Sequence, residues 1–368
     1  MRIEFIDGLR GLMALGVVYL HYCFVFFHFI PMGFYNSCVV VCEFFVISGF
    51  VLSFRFWKNR DTELLTSSSL RRYVRLTAAP LVSILLSYLL IKVSFFYCTQ
   101  IIALTRHIPE SEAGFFYLLV PSLTDALHEG LWGMYFDYHQ SASYSPVLWT
   151  MKWEFKGSIL VAAFLALFGK VHNRWILYVI FLVISIDTLY PTFIFGVMFS
   201  DLLFSPEGRK LYESLKKQKI FALIMLGLGI FFSIYSTDFP ADIYRKLEFE
   251  FFNRNGIDIE IFYHMLASVM IMYAVVCSDT LQKFFSCKFL TKIGEYSFSL
   301  YLLHVPILCS VGGFIFLKFF NNGFDMVSCI FLGSSAAILV TIPAVYLLHH
   351  FVDMPAGKLA KYVQKKFE

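Results

Sequence analysis

Long apolar runs decide the fold of this chain, and the first of them reads LRGLMALGVVYLHYCFVFFHFI over residues 9–30. A helix rises about 1.5 Å per residue, so a run of this length matches a hydrocarbon layer of about 30 Å. Similar runs recur along the chain to its C-terminal end. We therefore predict an all-α integral membrane protein built as a bundle of transmembrane helices.

The composition supports this prediction and excludes several other classes. Of the 368 residues, 58% are apolar and 15% are charged, against about 45–50% and 25% in soluble domains. The mean hydropathy is +0.69. So large a surplus, with 44 Phe, exceeds what one soluble core buries. The composition excludes a disordered chain, a coiled coil and a soluble two-domain enzyme.

Charge and cysteine usage give no sign of nucleic-acid or metal binding. The net charge of +4 is too small to indicate a nucleic-acid partner. The eight Cys form no CxxC pair and no cluster at zinc spacing, so we expect no metal.

Apolar runs of about 17–25 residues indicate spanning helices, and we predict about ten of them. They cover residues 9–30, 36–57, 74–97, 146–168, 174–187, 189–204, 219–236, 259–278, 296–319 and 326–352. With the N-terminus in the cytoplasm, 22 of the 30 Lys and Arg lie in cytoplasmic stretches and 5 in outer stretches. Cytoplasmic loops carry an excess of Lys and Arg, so both termini are predicted to be cytoplasmic.

The spans leave room for one domain only. We expect a single transmembrane domain over residues 1–368 with no appended soluble domain. Within it, residues 98–145 form a long outer segment that is predicted to be a cap or to re-enter the membrane.

Ionisable side chains at membrane depth are the first candidate site residues, because each costs at least a few kcal/mol unless it faces the bundle interior. Arg10 and His21 are eleven residues apart, so they project from one helix face about 16 Å apart. His21 is a catalytic candidate or an interhelical hydrogen-bonding residue, and Arg10 is a site residue or an anchoring charge. His304, close to Pro306, is a substrate-side or a structural residue.

Three other segments have both a functional and a structural interpretation. Arg71, Arg72 and Arg75 precede the third span; guanidinium groups suit phosphate oxygens, but such a cluster also orients a helix. Ser48 and Gly49 interrupt the second span, where small residues allow close helix packing or close approach of a substrate.

The third segment opens the fourth span. Glu154, near Trp149, has no basic residue three or four positions away. We interpret Glu154 as part of an acceptor site or as a charge partner of an Arg or His on another helix, such as Arg10 or His21.

Six segments, taken in chain order, resemble the motifs of acyltransferase family 3, the multi-spanning O-acyltransferases that acetylate surface polysaccharides. They are Arg10 with His21, FFVISGF at residues 44–50, Arg71-Arg72-x-x-Arg75 followed by Pro80, Leu148-Trp149-Thr150 with Glu154, Ser297 to Pro306 with Tyr301 and His304, and VDMP at residues 352–355, where Asp353 replaces the family's Glu. Together they span nearly the whole chain.

This resemblance implies transfer of an acyl group, usually acetyl, from cytoplasmic acyl-CoA to a hydroxyl of a surface glycan or lipid-linked sugar. It implies a multi-pass protein of the bacterial inner (plasma) membrane, whose partners are membrane lipid, acetyl-CoA and the acceptor. The implied catalytic residues are His21, as general base or transient acyl carrier, with Arg10 and Glu154.

With acyl-CoA as the donor, we expect its phosphates to bind Arg71, Arg72 and Arg75, three guanidinium groups predicted to lie at the inner surface. The resemblance leaves substrate or structural roles for Ser48, Gly49, Trp149, Tyr301 and His304. The alternatives are a polytopic transporter or permease and a non-catalytic polysaccharide export factor. A transporter would fit the intramembrane charges equally well, but no pair of matching broken helices is evident in the sequence.

Overall fold

The all-α prediction is confirmed by the computed structural model, which describes residues 3–26, 37–113, 119–235 and 256–367. These residues are mainly helical and contain no β-strand. Some predicted positions lie outside the described residues, namely 27–30, 36 and 236 of the spans and 114–118 of the outer segment.

The first helices are α1 (Glu4–Phe26), α2 (Ser37–Asn59), α3 (Glu63–Lys92), α4 (Cys98–Arg106), α5 (Glu110–Ala113), α6 (Leu123–His128), α7 (Met134–Phe136), α8 (Trp149–Phe168) and α9 (Arg174–Ile184). They are followed by α10 (Tyr190–Phe204), α11 (Pro206–Lys216), α12 (Lys219–Ser233), α13 (Ile259–Cys277), α14 (Asp279–Phe285), α15 (Lys288–Ile307), α16 (Gly313–Asn321), α17 (Met326–Leu348) and α18 (Met354–Phe367). Short π-helical segments occupy Glu129–Gly133, Leu308–Gly312 and His349–Asp353.

Among the described residues, six helices are long and apolar enough to cross a membrane. They lie at Glu4–Phe26, Cys38–Asn59, Arg71–Lys92, Ile259–Cys277, Lys288–Asn321 and Met326–Tyr362, each on a predicted span. Helices α9, α10 and α12 are apolar but shorter. The chain is therefore an integral membrane protein, while the count of ten spans and the orientation of the termini stay predictions.

The chain divides into two compact units. The first comprises Met1–Gly16, Met32–Leu70 and Lys156–Glu295, and the second comprises Val17–Pro31, Arg71–Phe155 and Tyr296–Glu368. In the first unit α2 packs along α10, where the rings of Phe45 and Phe193 stack with their centroids 4.8 Å apart.

A buried ion pair joins α9 to α10 in the first unit. Arg174 donates to both carboxylate oxygens of Asp201, at 2.6 and 2.8 Å, and the two side chains are 2% and 0% exposed. Tyr178 donates to the same carboxylate at 3.0 Å, and the Arg174 guanidinium lies 4.9 Å from the Trp57 ring centroid. Each charge is thus neutralised where water cannot reach it.

In the second unit, hydrogen bonds tie the helices around an apolar core. Ser83 of α3 donates to the carbonyl of Leu302 on α15 at 2.7 Å. That carbonyl has no helical partner four residues on, because Pro306 lacks an N–H. Thr105 of α4 donates to the carbonyl of Val25 on α1 at 3.3 Å. These bonds fix α1, α3 and α15, which carry the site described below.

The Arg174–Asp201 pair predicts a large loss of stability when one partner is removed. Asp201→Ala removes the buried carboxylate partner of Arg174 and leaves the half-exposed carboxylate of Glu207 at 3.2 Å. Breaking such a buried pair costs about 3–5 kcal/mol. We expect a clear fall in the thermal midpoint of the detergent-solubilised protein, measured by the soluble fraction left after heating.

Asp279→Ala is the matched control, because Asp279 pairs with Lys216 at 2.6 Å while remaining 62% exposed. Exposed ion pairs contribute about 0–1 kcal/mol, so this variant should melt close to the native protein. Equal midpoints for the two variants would contradict a stabilising role for the buried pair.

Candidate active site

Two histidines from different helices meet in the second unit. Nε2 of His304 on α15 lies 3.2 Å from Nδ1 of His21 on α1, and the ring centroids are 4.9 Å apart. His304 is fully buried and His21 is half-buried. Each Nδ1 also faces a carbonyl of its own helix, that of Val17 at 2.9 Å for His21 and that of Leu300 at 3.0 Å for His304. The structure therefore joins two residues that the sequence identified separately.

Tyr301 connects the histidine pair to the start of α8. Its hydroxyl donates to the carbonyl of Val147 and lies 2.8 Å from the hydroxyl of Thr150. Its ring centroid is 6.1 Å from that of His304. Trp149, which begins α8, is half-buried. The predicted residues Trp149, Tyr301 and His304 thus belong to neighbouring parts of one site.

Glu154 finds its partner on α3. The Arg72 guanidinium donates to the Glu154 carboxylate in a close ion pair, and the side chains are 13% and 18% exposed. Sequence reasoning left this partner open and named Arg10 and His21 as examples. Arg72 is 82 positions from Glu154, so no local pattern relates the two residues. Arg72 is therefore held by a carboxylate in this structure.

The other two arginines of the basic cluster lie on the same apolar helix, Arg71–Lys92. Arg71 is half-buried, and Arg75 is exposed. The exposed Arg75 is therefore accessible to an anionic ligand.

Other predicted residues lie in the first unit. Arg10 lies on α1 with Nη1 3.9 Å from Asp7. Ser48 is half-buried on α2. A Cβ added to Gly49 would lie 2.0 Å from the carbonyl oxygen of Phe193 on α10, so no side chain fits there. Close packing of α2 on α10 accounts for Gly49, in line with one of its two interpretations.

A cavity of about 420 Å³ opens in the segment predicted as a cap. Its polar lining includes the carboxylates of Asp125, Glu129 and Asp137 and the imidazoles of His128 and His139. None of the described residues that line it is a Lys or Arg. The described lining residues thus present hydrogen-bonding carboxylates, imidazoles and hydroxyls.

Glu129 is the most buried of these carboxylates. It accepts hydrogen bonds from the Ser143 hydroxyl and, at 2.9 Å, from the backbone N–H of Tyr144. Burial raises the pKa of Glu129, and the two hydrogen bonds oppose that shift. Tyr138, also in the lining, donates to the carbonyl of Pro146 at 3.0 Å, one residue before Val147. Neither Glu129 nor Tyr138 is among the site residues predicted from the sequence, because neither lies in a predicted span or motif.

Two remaining expectations concern the C-terminal motif and metals. Asp353, in place of the family's Glu, has its carboxylate 3.2 Å from Nδ1 of His349. In the part of the chain that the structure describes, no group of three His, Cys, Asp or Glu side chains is arranged to hold a metal ion.

Known proteins with similar sequences identify the class and then the family. The chain is similar to acyltransferase R4 of Phoma sp., with 23% identity over 388 residues that cover 88% of this chain and 80% of the relative. It is also similar to acyltransferase clz18 of Cochliobolus lunatus, with 22% identity over 385 residues and the same coverage of both chains. The chain is thus similar to two acyltransferases.

The acyltransferase domain that defines acyltransferase family 3 matches residues 3–350, which is nearly the whole chain. The chain belongs to this family, so the resemblance predicted from its motifs is confirmed. No solved structure matches the chain. The protein is therefore an integral membrane acyltransferase.

The Arg72–Glu154 pair predicts that reversing either charge alone reduces the yield of folded protein and that exchanging both charges restores it. Arg72→Glu and Glu154→Arg each place like charges together in a mostly buried site, and breaking such a pair costs about 3–5 kcal/mol. We expect little folded protein from either variant and substantial recovery in the double variant, measured by size-exclusion chromatography in detergent. A double variant no better than the singles would contradict the pairing.

Proposed function

We propose that the protein transfers an acyl group, above all acetyl, from acyl-CoA at the cytoplasmic face to a hydroxyl of a surface glycan or lipid-linked sugar. The observation that carries this proposal is the half-buried His21 beside the fully buried His304 in a member of an acyltransferase family. An imidazole has an unperturbed pKa of about 6.5 and is the usual general base near neutral pH.

In the first form of the mechanism, His21 acts as a general base. Its imidazole takes the proton of the acceptor hydroxyl as the oxygen attacks the thioester carbonyl. The carbon–sulfur bond then breaks, and the imidazolium returns the proton to the departing CoA thiolate. The products are an ester and free CoA, so no proton is gained or lost overall.

In the second form, His21 carries the acyl group briefly. The imidazole nitrogen attacks the thioester and CoA leaves as the thiolate. The acceptor hydroxyl then attacks the acyl-imidazole, and its proton passes to the thiolate. Both forms need one imidazole nitrogen with a free lone pair and access to the reactants, which the half-buried His21 supports.

We assign the phosphates of the donor to Arg71 and Arg75. Guanidinium groups bind phosphate oxygens through paired hydrogen bonds, and the exposed Arg75 lies one helical turn from the half-buried Arg71 on α3. Arg10, three turns before His21 on α1, is proposed to steady the thioester end of the donor. The positive-inside pattern supports a cytoplasmic position for this basic cluster.

We assign the acceptor to the cavity of the cap segment. Its carboxylates, imidazoles and tyrosines suit hydroxyl groups, and the absence of Lys and Arg from its described lining disfavours an anionic acceptor. Its wall residue Tyr138 bonds to Pro146, beside the Val147 carbonyl that Tyr301 contacts. A continuous set of bonded residues thus leads from the cavity toward the histidine pair.

The cellular location is also a proposal. The family motifs support the inner membrane of a bacterial cell, where cytoplasmic acyl-CoA meets envelope glycans. Fractionation of a tagged protein would test this location.

The decisive experiment measures label transfer. Membranes containing the protein are incubated with labelled acetyl-CoA and an extracted surface-glycan fraction. Loss of a general base removes about 10²–10⁴-fold of rate, so His21→Ala should abolish measurable labelling. His264→Gln, at another fully buried histidine on α13, is the matched control and should label normally.

Other results of this experiment would reject the role of His21 or favour one of the alternative functions. Normal labelling in His21→Ala would reject His21 as base or carrier. Accumulation of unmodified solute in vesicles would favour the permease, and an absence of both labelling and uptake would favour the export factor.

A second prediction concerns the donor. Arg71→Gln/Arg75→Gln should raise the KM for acetyl-CoA roughly tenfold or more, because a charge-assisted hydrogen bond contributes about 1.5–3 kcal/mol. The control is Arg209→Gln on α11, whose side chain is 68% exposed and paired with Glu213. An unchanged KM with an inverted topology reporter would show that the cluster only orients the helix.

A further inference from the structure

The hydrogen bonds around the histidine pair define where its protons lie. A backbone carbonyl only accepts hydrogen bonds, so a ring nitrogen facing one must carry hydrogen. His304 therefore donates from Nδ1 to the carbonyl of Leu300 at 3.0 Å. His21 likewise donates from Nδ1 to the carbonyl of Val17 at 2.9 Å. Both imidazoles thus carry hydrogen on Nδ1.

This assignment allows only one direction for the hydrogen bond between the two rings. A neutral His304 with hydrogen on Nδ1 has its lone pair on Nε2, which faces the Nδ1–H of His21 at 3.2 Å. The Nδ1–H of His21 is therefore shared between two acceptors, the carbonyl of Val17 and Nε2 of His304. Hydrogen on Nε2 of His304 would instead point at the Nδ1–H of His21. All three contacts are satisfied together only when His304 is neutral and both rings carry hydrogen on Nδ1. A neutral His21 in this arrangement has its lone pair on Nε2.

We propose that His304 is a positioning residue that fixes His21 as the Nδ1–H tautomer, and so keeps the lone pair of Nε2 free for the reactants. This inference rests on the proposed acyl transfer at His21. His304 is fully buried, whereas His21 retains exposed surface, so His304 acts through His21 and does not contact the substrate.

The same contact stabilises the charge that forms during transfer. When Nε2 of His21 takes the acceptor proton, its ring becomes an imidazolium and its Nδ1–H a stronger donor. The bond to Nε2 of His304 is then charge-assisted, and such bonds are about twice as strong as neutral ones. When the proton passes to the CoA thiolate, the pair returns to its starting state. The stabilisation therefore grows as the transition state forms, and it should act on kcat.

The backbone around His304 is held firmly enough for this role. Pro306 leaves the carbonyl of Leu302 without its helical donor, and the Ser83 hydroxyl of α3 fills that place at 2.7 Å. The neighbouring Tyr301 hydroxyl is bonded to the carbonyl of Val147. These two bonds anchor α15 at Tyr301 and Leu302, within one helical turn before the ring that faces His21.

The kinetic test separates a hydrogen-bond acceptor from a simple space-filling residue. His304→Leu keeps an apolar side chain and removes the acceptor, so kcat should fall about 10–100-fold, as for other partners that orient a functional histidine. The KM for acetyl-CoA should change by less than about twofold, because donor binding is untouched. His304→Gln should recover most of the rate, since its amide oxygen can accept the His21 Nδ1–H.

Two comparisons keep the inference distinct from the proposed function. If His21→Ala labels normally, the proposed function fails. If His21→Ala is inactive but His304→Leu keeps native kcat, only the positioning role fails. The same conclusion follows if His304→Gln is no better than His304→Leu. The His264→Gln variant again controls for the loss of a buried imidazole.

A spectroscopic measurement tests the tautomer without any substrate. Protein labelled with ¹⁵N-histidine is reconstituted in bilayers, and the His21 signal is assigned by its loss in His21→Ala. We expect hydrogen on Nδ1 and none on Nε2 of His21 in the native protein. In His304→Leu only the Val17 carbonyl still favours hydrogen on Nδ1, so the ring can turn and we expect a larger share of the Nε2–H tautomer. Hydrogen on Nε2 of His21 in the native protein would overturn the inference.

Discussion

Hydrocarbon offers no water to a polar side chain, and this constraint organises the interior of each unit. A charge at membrane depth must meet an opposite charge or a hydrogen-bonding group. In the first unit Arg174 meets Asp201 with almost no exposed surface. In the second unit Arg72 meets Glu154. The first pair joins consecutive helices, and the second joins helices whose paired residues are 82 positions apart. Satisfying the polar groups therefore also determines which helices pack together.

The same constraint makes the histidine pair chemically useful. Two neutral imidazoles can share hydrogens with helix carbonyls and with each other without leaving a buried donor or acceptor unmatched. His304 is enclosed, while His21 keeps an accessible edge. In the proposed mechanism, His304 is therefore the supporting ring and His21 the reactive one. The bonds of Tyr301 and Ser83 hold the helix that carries His304, so the ring that faces His21 has a fixed position.

The site residues were partly predictable because their chemistry is unusual in lipid. His21, Glu154 and His304 stand out in apolar runs, and the order of the motifs was sufficient to identify the family. Arg174 and Asp201 were not identified as a pair. Arg174 stands at a helix end, where a basic residue ordinarily orients the span, and the sequence contains no sign that a carboxylate 27 positions later accepts its hydrogen bonds.

The sequence by itself determined that the chain is helical, lies in a membrane and belongs to an acyltransferase family, because hydropathy and motif order are local properties of the chain. Only the tertiary structure decided that Glu154 pairs with Arg72, that Gly49 lies against α10, and that His21 meets His304. Those partners are tens to hundreds of positions apart. Which of many possible polar partners meet depends on how the helices pack, and helical periodicity places residues on a face without naming the neighbour that the face will contact.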